Sequence, residues 1–388
     1  MDRCNVAVIG GGGTGLATAY DLALRGFNVT LLERGELTSG TTGRHHGQLH
    51  SGARYALGDA TIAAECMAET RVLRRIAADC IEYNQGLFLA VDDEGEALTD
   101  RFIAACRAAD IPATEVPVSR ARAMEGAISR NTRRAVLVPD GTIDAYRLPL
   151  RFAASARFLG AEILTFTRVE GIEASAGVVR ALLCRDLRDG REFRVNADAV
   201  VNAAGPWADT VAALAGVKVP LTAGAGALVA VEGRICDMII SRLRLPGDGD
   251  IIVPQRKFSI VGTTLRVVEG GDGLLPTEEE IRFLLSSADE LIEGFSSRPV
   301  RAAWAAARPL AGTSGDDGRS ISRDIVLYDH GETEGVRGLF SIIGGKATTL
   351  RIMGEIAADA VARYTGRGGP CKTAEAELRP YRDYWRNR

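Results

Sequence analysis

The chain has 388 residues, of which 46% are hydrophobic and 25% charged, and its formal net charge is −3. This length suits two closely packed domains, and the composition is that of an ordinary globular protein. The charge, without any block of lysine or arginine, excludes nucleic acid as an expected partner, and the short apolar runs predict no transmembrane helix.

The spacing of the cysteines and the first residues of the chain indicate whether to expect a metal site and in which compartment to expect the protein. Seven cysteines are scattered without a C-x-x-C pair, which predicts buried thiols in a reducing cytoplasm and no bound metal, neither zinc nor an iron–sulfur cluster. Because residues 1–4 lead directly into an apolar run, we expect no secretory signal and a cytoplasmic protein.

The first unit along the chain is a strand, a glycine turn, a helix and a second strand. The apolar run Asn5–Ile9 leads into this turn, and Glu33 ends the next apolar run. Gly10 permits the sharp turn, Gly12 lets the backbone approach a pyrophosphate, and Gly15 lets the helix pack closely on the sheet. Glu33 is expected to accept hydrogen bonds from an adenosine ribose, and an acid there makes NADP the least expected dinucleotide.

The later elements alternate between helices and strands. Residues 38–47 form a loop of small polar residues, and helices are predicted over 60–80, 99–109 and 278–294. Strands are predicted at 162–164, 169–172, 199–205, 251–254 and 259–262, with a hairpin turning at 189–190 and a strand, glycine turn and helix over 338–364.

Nucleotide-type segments thus lie at the start, middle and end of the chain, with strand-rich segments between them. A nicotinamide-binding domain is normally one continuous block, so this arrangement favours FAD over NAD. We predict an α/β fold with a discontinuous Rossmann-type FAD-binding domain (1–80, 145–216 and 322–388). The inserted α+β substrate-binding domain (81–144 and 217–321) is expected to contain a mainly antiparallel sheet.

Two further glycine turns follow buried strands. Gly344-Gly345 precedes a helix whose positive N-terminus would stabilise the negative charge of a reduced flavin. Ala203–Gly205 would let the backbone pass a pyrophosphate or ribityl chain. A plain strand-to-helix turn and ordinary close packing are the alternatives for these two segments.

Seven segments in order resemble the FAD-dependent glycerol-3-phosphate dehydrogenase family, most closely the catalytic A subunits of the anaerobic enzymes. They are Gly10–Gly15, Thr41–Arg44, His50–Tyr55, Pro139–Thr142, Ala203–Trp207, Arg308–Leu310 and Gly344–Arg351. The resemblance extends from about residue 5 to Cys371 and implies the fold of the D-amino-acid-oxidase-like flavoproteins.

The resemblance also implies a reaction and partners. It implies oxidation of sn-glycerol 3-phosphate to dihydroxyacetone phosphate by hydride transfer to FAD, with electrons passed to a quinone-linked acceptor. Iron–sulfur or membrane-anchoring partner subunits would follow from it, with peripheral attachment at the inner face of the cell membrane as an alternative to a purely cytoplasmic location.

Two departures from the family are visible. The family's cysteine-rich C-terminal extension does not follow in these 388 residues, which leaves electron exit by that route in question. Ala225 stands where the family has a lysine, and the loss of that cation predicts weaker phosphate binding or a different polyol phosphate or hydroxy acid as substrate.

The glycine turns and the resemblance together predict the cofactor-binding residues. They are Gly10, Gly12, Gly13, Thr14, Gly15, Glu33, Arg34, Thr41, Thr42, Gly43, His46, Gly47, Leu49, Val169, Ala203, Ala204, Gly205, Trp207, Gly344, Gly345, Lys346, Ala347, Thr348 and Thr349.

Substrate binding and catalysis are assigned to a smaller set. Arginine suits a phosphate because its planar guanidinium can bind two oxygens. The resemblance implies that Arg54 and Arg308, which lie in the matching segments, have both roles, together with Lys346. Tyr55 is expected to add a hydroxyl contact. His50 is the candidate base for the alcohol proton, with a hydrogen bond to the flavin or its loop as the alternative role.

Lesser candidates and other functions stay open. Arg323 is a weaker cation candidate, and His45 and His46 lie in the predicted flavin loop. His330 is expected to pack in the core or to support a site residue without touching the ligand. The alternative functions are an FAD-dependent oxidase or dehydrogenase of another polyol phosphate or a 2-hydroxy or amino acid, and a non-catalytic flavin protein that only transfers electrons within a complex.

Overall fold

The computed structural model describes residues 4–312 and 324–386. The strands in these ranges are β1 (Asn5–Ile9), β2 (Asn28–Leu32), β3 (Gln48–Leu49), β4 (Ile81–Glu82), β5 (Gly86–Ala90), β6 (Thr114–Val116), β7 (Arg134–Val138), β8 (Gly141–Ile143), β9 (Glu162–Leu164), β10 (Thr167–Ser175), β11 (Val178–Asp186), β12 (Glu192–Asn196), β13 (Ala199–Asn202), β14 (Leu221–Glu232), β15 (Ile239–Arg242), β16 (Ile251–Gln255), β17 (Phe258–Gly262), β18 (Arg266–Val268), β19 (Val300–Ala311), β20 (Val326–Asp329) and β21 (Leu339–Ile343).

The helices in the same ranges are α1 (Gly13–Leu24), α2 (Ala60–Ile76), α3 (Asp93–Ala108), α4 (Val118–Met124), α5 (Arg147–Phe158), α6 (Ala208–Ala213), α7 (Glu278–Asp289), α8 (His330–Thr333), α9 (Leu350–Thr365) and α10 (Asp383–Arg386). No helix in the described part of the chain is long and apolar enough to cross a membrane.

The first sheet is built from strands that are far apart in sequence. Its order is β20-β21-β13-β1-β2-β9, and all neighbours run parallel except the edge strand β20. Apolar side chains of β1, such as Val6 and Val8, pack with residues of α1, α5 and α9 in one core. Because all five parallel strands end at the same edge, this sheet confirms the predicted Rossmann-type α/β fold.

The second sheet has nine strands and is mainly antiparallel, as expected. Its order is β18-β14-β17-β16-β15-β5-β7-β6, with β19 pairing along β14, and only β5 and β15 run parallel. Its strands come from 81–144 and 217–321, and those of the first sheet come from the other three predicted segments. The domain boundaries themselves stay a prediction.

Three predicted helices have different ends in the structure. The predicted helix 60–80 ends at Ile76, and 278–294 ends at Asp289. The helix predicted from residue 99 begins at Asp93, where Asp92 accepts a hydrogen bond from the Gly95 N–H at 2.8 Å. Its first turn is acidic, so apolar spacing alone could not detect it, although acids stabilise a helix N-terminus.

Helices α1 and α9 approach each other at a glycine. A Cβ on Gly354 would lie 2.6 Å from the carbonyl carbon of Ala17 and 2.8 Å from the amide nitrogen of Thr18. Both contacts are with backbone, which cannot rotate away. The distance between the two helices therefore depends on the missing side chain.

We expect Gly354→Ala to lower the free energy of unfolding by about 1–3 kcal/mol, the usual cost of overpacking. Thermal unfolding measures the effect as a lower Tm. Gly126→Ala is the matched control, because a Cβ there meets nothing within 4 Å. Equal Tm values for the two variants would show that the helices separate without strain.

Candidate functional site

A cavity of about 780 Å³ lies between the carboxyl edge of the first sheet and the second sheet. Its wall includes all four predicted catalytic residues and most predicted cofactor residues. The catalytic residues are His50, Arg54, Arg308 and Lys346, and the predicted substrate contact Tyr55 lies beside them. The cofactor residues are Gly10, Gly12, Gly13, Thr14, Glu33, Arg34, Thr41, Thr42, His46, Val169, Ala203, Ala204, Gly205, Trp207, Gly344, Gly345, Lys346 and Ala347. The three glycine turns therefore converge on one space.

The first glycine turn brings the N-terminus of α1 to the cavity. Gly10 has a φ of 111°, and a Cβ there would lie 2.6 Å from the carbonyl oxygen of Ala203. A Cβ on Gly15 would lie 1.9 Å from the carbonyl oxygen of Gly10. Gly12 is the N-cap of α1 and has no side chain to accept a hydrogen bond from the first turn, whereas the Gly13 N–H donates to Thr42 Oγ1 at 3.0 Å. Gly12, Gly13 and Thr14 line the cavity, and a helix N-terminus favours an anion.

Glu33 is fixed in the cavity wall by two backbone groups. Its Oε2 accepts a hydrogen bond from the Gly11 N–H, and its Oε1 accepts one from the Gly35 N–H, both at 2.7 Å. Each carboxylate oxygen has a second acceptor site. Both oxygens can therefore still accept hydrogen bonds from ligand hydroxyl groups.

Arg34 and Trp207 are joined by an acid that the sequence analysis missed. The Arg34 guanidinium lies 4.3 Å from the centre of the Trp207 ring. Asp272 accepts hydrogen bonds from Arg34 Nη2 at 2.6 Å and from Trp207 Nε1 at 2.9 Å. The only sequence signal for this contact is that Asp272 lies in a glycine-rich turn.

The third glycine turn presents Lys346. Gly344 has a φ of 84°, and a Cβ there would lie 1.9 Å from the carbonyl oxygen of Asp324. The Lys346 N–H donates to Thr349 Oγ1 at 2.9 Å. Lys346 Nζ lies 4.9 Å from the centre of the Tyr55 ring, a cation–π distance.

Six of the predicted cofactor residues do not line the cavity, and their predicted cofactor contact stays a prediction: Gly15, Gly43, Gly47, Leu49, Thr348 and Thr349. Their contacts in the structure are with neighbouring protein groups. A Cβ on Gly43 would lie 2.6 Å from the Thr38 carbonyl oxygen, and one on Gly47 would lie 1.7 Å from Gln255 Nε2. Leu49 is fully buried in the core.

The main chain of His50 is held independently of its side chain. Its N–H donates to Thr348 Oγ1 at 3.0 Å, and its carbonyl oxygen accepts from Thr70 Oγ1 at 2.7 Å. The His50 ring lies between the rings of His46 and Tyr55, at centroid distances of 6.0 and 5.6 Å. Thr348 therefore supports the site from behind the wall.

The motif around residue 140 holds the chain on either side of His50. Asp140 accepts hydrogen bonds from Gln48 Nε2 at 2.9 Å and from the Ser51 N–H at 2.7 Å. Burial raises the pKa of the Asp140 carboxyl, and these hydrogen bonds offset only part of the rise. In the Pro139–Thr142 motif, Asp140 thus fixes residues 48 and 51, on either side of His50.

Arg54 and Arg308 bring two guanidinium groups to the cavity. Arg54 Nη2 donates to the Gly247 carbonyl oxygen at 2.7 Å and to Asp250 Oδ2 at 3.1 Å. Arg308 Nη2 donates to the Thr264 carbonyl oxygen at 2.6 Å and to Thr263 Oγ1 at 3.1 Å. Arg323, the weaker candidate, lies outside the described residues.

The expectation about Ala225 is corrected by the register of β14. Ala225 is fully buried and does not line the cavity, whereas its neighbour Gly226 does. Successive residues of a strand face opposite sides, so a lysine at position 225 would not face the cavity. At Gly226 a Cβ would lie 2.1 Å from Arg308 Nη2, so the arginine lies where a side chain would stand.

His45 and His46 are neutral residues of the cavity wall. Burial, with smaller contributions from His45, Arg54 and Arg308, lowers the pKa of His46 to about 3. Burial likewise lowers the pKa of His45 to about 4. His45 Nδ1 accepts from the Gly47 N–H at 2.8 Å, and His46 Nδ1 accepts from the Gln48 N–H at 3.1 Å. Each neutral ring therefore carries its proton on Nε2.

His330 is a packing residue in the structure, as expected. Its side chain is fully buried, with Nδ1 3.0 Å from Glu334 Oε2 and Nε2 2.8 Å from Ser341 Oγ. In residues 4–312 and 324–386, no group of three or more His, Cys, Asp or Glu side chains is placed to hold a metal ion.

The family model "FAD dependent oxidoreductase" matches residues 5–360. Among curated proteins, the A subunit of the anaerobic glycerol-3-phosphate dehydrogenase of Escherichia coli K12 is 39% identical over 377 residues, covering 96% of this chain and 70% of that protein. The corresponding protein of Haemophilus influenzae is 37% identical, with 96% and 67% coverage.

Solved structures share the fold. The glycerol-3-phosphate dehydrogenase from Bacillus halodurans, complexed with FAD, has a TM-score of 0.74 at 24% identity, covering 97% of this chain and 68% of that chain. Glycine oxidase from Geobacillus kaustophilus has a TM-score of 0.75 at 21% identity, with 98% and 99% coverage.

The two depressed histidine pKa values predict a pH dependence of stability. An unfolded histidine titrates near 6.5, so below that pH the unfolded chain binds protons that folded His45 and His46 do not. Stability is therefore expected to fall as the pH decreases from about 7 to 5. The His45→Gln/His46→Gln double variant should lose less Tm over this range.

Thermal unfolding of the FAD-loaded proteins at a series of pH values measures this difference. Above about pH 7.5 the two curves should run parallel, because both histidines are then neutral in the folded and the unfolded states, which serves as the control. Parallel curves across the whole range would contradict the assignment of neutral histidines.

Proposed function

The chain belongs to the FAD dependent oxidoreductase family, together with the A subunits of anaerobic glycerol-3-phosphate dehydrogenase, and we propose that it oxidises sn-glycerol 3-phosphate to dihydroxyacetone phosphate. The observation that carries the proposal is the convergence of Arg54, Arg308 and Lys346 beside His50 in one cavity. A phosphorylated alcohol requires a cationic pocket for its phosphate and a proton acceptor for its hydroxyl group.

The residues around the cavity fit FAD. The N-terminus of α1 would hold the pyrophosphate, Glu33 the adenosine ribose, and the Gly344-Gly345 turn the flavin end. A side chain at Gly10 would collide with the backbone of Ala203, so the close approach of these two segments in the cavity wall requires a glycine. FAD, when bound, accepts the hydride that leaves the substrate carbon.

The two arginines would bind the phosphate. Each donates hydrogen bonds to protein groups through Nη2, which orients the guanidinium plane before substrate arrives. A planar guanidinium binds phosphate oxygens in a bidentate manner, and burial strengthens the attraction. Lys346, stacked over Tyr55, adds a third positive charge to the wall.

His50 would accept the proton from the substrate hydroxyl oxygen. The other two histidines of the cavity are poor bases, because burial keeps their pKa values near 3 and 4 and their Nδ1 atoms already accept hydrogen bonds. Their Nε2–H groups can only donate. In its alternative role, a hydrogen bond to the cofactor or its loop, His50 would affect FAD binding more than the rate of flavin reduction.

Electron exit and location follow from the relatives and belong to the same proposal. The matched relatives are named as A subunits, so we propose that electrons pass from this chain to partner subunits and then to a quinone-linked acceptor. Iron–sulfur or membrane-anchoring partners would place a cytoplasmic chain at the inner face of the cell membrane.

A second candidate is oxidation of a 2-hydroxy or amino acid. Glycine oxidase shares the fold across almost its whole length, and an arginine pair binds a carboxylate as well as a phosphate. A substrate panel and the yield of hydrogen peroxide distinguish the two, because an oxidase releases peroxide in each turnover.

The first test is flavin reduction by glycerol 3-phosphate in the absence of oxygen. We expect the absorbance of oxidised flavin to bleach in the wild type, and Arg308→Ala to raise the KM by about 100-fold or more, since a charged hydrogen-bonding partner is lost. Arg301→Ala, on the same strand but half exposed, is the matched control. A wild type that stays oxidised at millimolar substrate would overturn the proposed substrate.

The second test is His50→Gln, which removes the base but keeps the main-chain hydrogen bonds to Thr348 and Thr70. We expect kcat to fall by about 10²- to 10⁴-fold with little change in KM, as for the loss of a general base. Anaerobic stopped-flow reduction measures the step directly. A fall of less than about threefold, together with weaker FAD binding, would instead assign His50 to the cofactor.

A further inference from the structure

We propose that Asp250 is a positioning residue that holds Arg54 in place for the anionic group of the substrate. The inference rests on the proposed function for the role of Arg54. Asp250 is absent from the cavity wall, and neither the motifs nor the comparisons point to it. It acts through the loop 244–250 between β15 and β16, which we name the arginine-support loop.

The Asp250 carboxylate is surrounded by donors. Its side chain is fully buried, and Oδ1 accepts from Arg244 Nε at 2.7 Å, with Arg244 Nη2 at 2.6 Å. Oδ2 accepts from the Gly247 N–H at 2.6 Å and from Arg54 Nη2 at 3.1 Å. One buried acid thus contacts two arginines and a backbone amide.

This geometry fixes both acceptors that Arg54 uses. The second acceptor of Arg54 Nη2 is the Gly247 carbonyl oxygen, and Asp250 holds the same residue through its N–H. Asp250 therefore accepts one hydrogen bond from Arg54 directly. It also positions Gly247, whose carbonyl oxygen accepts the second hydrogen bond from Arg54. Within the described residues, both hydrogen bonds that place Arg54 depend on one carboxylate.

The charges explain why the site can still attract an anion. Asp250 carries one negative charge, and Arg54 and Arg244 carry two positive charges, so the group of three keeps a net positive charge. Arg54 is bound through Nη2, which leaves its other N–H donors for a ligand at the cavity. Without Arg244, Asp250 would neutralise Arg54 and weaken anion binding.

An asparagine cannot replace this acid, although it has the same shape. All groups that contact Asp250 are donors, so an amide NH₂ would face either Arg244 or the pair formed by Arg54 and Gly247. In Asp250→Asn either Arg54 or Arg244 loses its acceptor, and any contact that Arg54 keeps is to a neutral oxygen, which holds the guanidinium less strongly. The variant therefore tests positioning with little change in volume.

The experiment uses the FAD-loaded protein and inorganic phosphate as the first probe. Perturbation of the flavin spectrum gives the phosphate Kd, and anaerobic reduction by glycerol 3-phosphate gives KM and kcat. We expect Asp250→Asn to raise both the Kd and the KM by about tenfold, with a much smaller change in kcat, because a charge-assisted hydrogen bond is lost.

A double-mutant cycle separates positioning from general destabilisation. In an Arg54→Gln background, Asp250→Asn should add less than about a twofold further change in the phosphate Kd, because the group it positions is gone. The matched control is Glu125→Gln, which removes another buried acid, one that accepts the Asp237 N–H at 2.8 Å in the same domain. That variant should leave the Kd and KM unchanged.

Each outcome decides the inference. A full effect of about tenfold for Asp250→Asn in the Arg54→Gln background, or an unchanged Kd in Asp250→Asn alone, overturns it. If Asp250→Asn does not retain FAD, Arg244→Gln replaces it, with the same weakening expected and an unchanged Kd as the contrary result. A wild type that binds phosphate but is not reduced by glycerol 3-phosphate overturns the proposed function alone.

Discussion

Close packing of α1 against the first sheet is the constraint on which the rest of the structure depends. A side chain at Gly15 would collide with the carbonyl group of Gly10, and one at Gly354 would separate α9 from α1. With glycine at these positions, the first turn of α1 opens directly on the cavity. The parallel strands β2, β13 and β21 end at the same edge, so turns far apart in sequence form one wall.

The second sheet forms the opposite wall and adds the charges. In the pairing of β14 with β19, Arg308 lies opposite Gly224, and its guanidinium occupies the space beside Gly226, where there is no side chain. The arginine-support loop and the turn at Asp272 extend from the same sheet to different parts of the cavity. The mainly antiparallel second sheet thus positions both the proposed substrate-binding arginine Arg308 and the acid Asp272 that contacts Arg34 and Trp207.

Buried acids and neutral histidines shape the electrostatics of the cavity. Asp140 holds the chain on both sides of His50, and Asp250 holds Arg54, so each acid is matched by donors behind the wall. His45 and His46 stay neutral because burial disfavours their charged forms. His45 and His46 therefore add no positive charge to the wall near neutral pH, where Arg54, Arg308 and Lys346 are its cations.

The sequence by itself determined the α/β fold, the dinucleotide turn and the set of cationic residues. The fold and the turn depend on local spacing: glycines at fixed intervals after an apolar strand, and strands and helices with their own periods. The cationic residues were identified by the resemblance of their segments to the family. Only the tertiary structure decided which side of a strand faces the cavity: Gly226 lines it, and the adjacent Ala225 does not. It also decided that Asp250 meets Arg54 across 196 residues and that Asp272 meets Trp207 across 65. No local pattern encodes such pairs, because their distance depends on how the whole chain returns to one place.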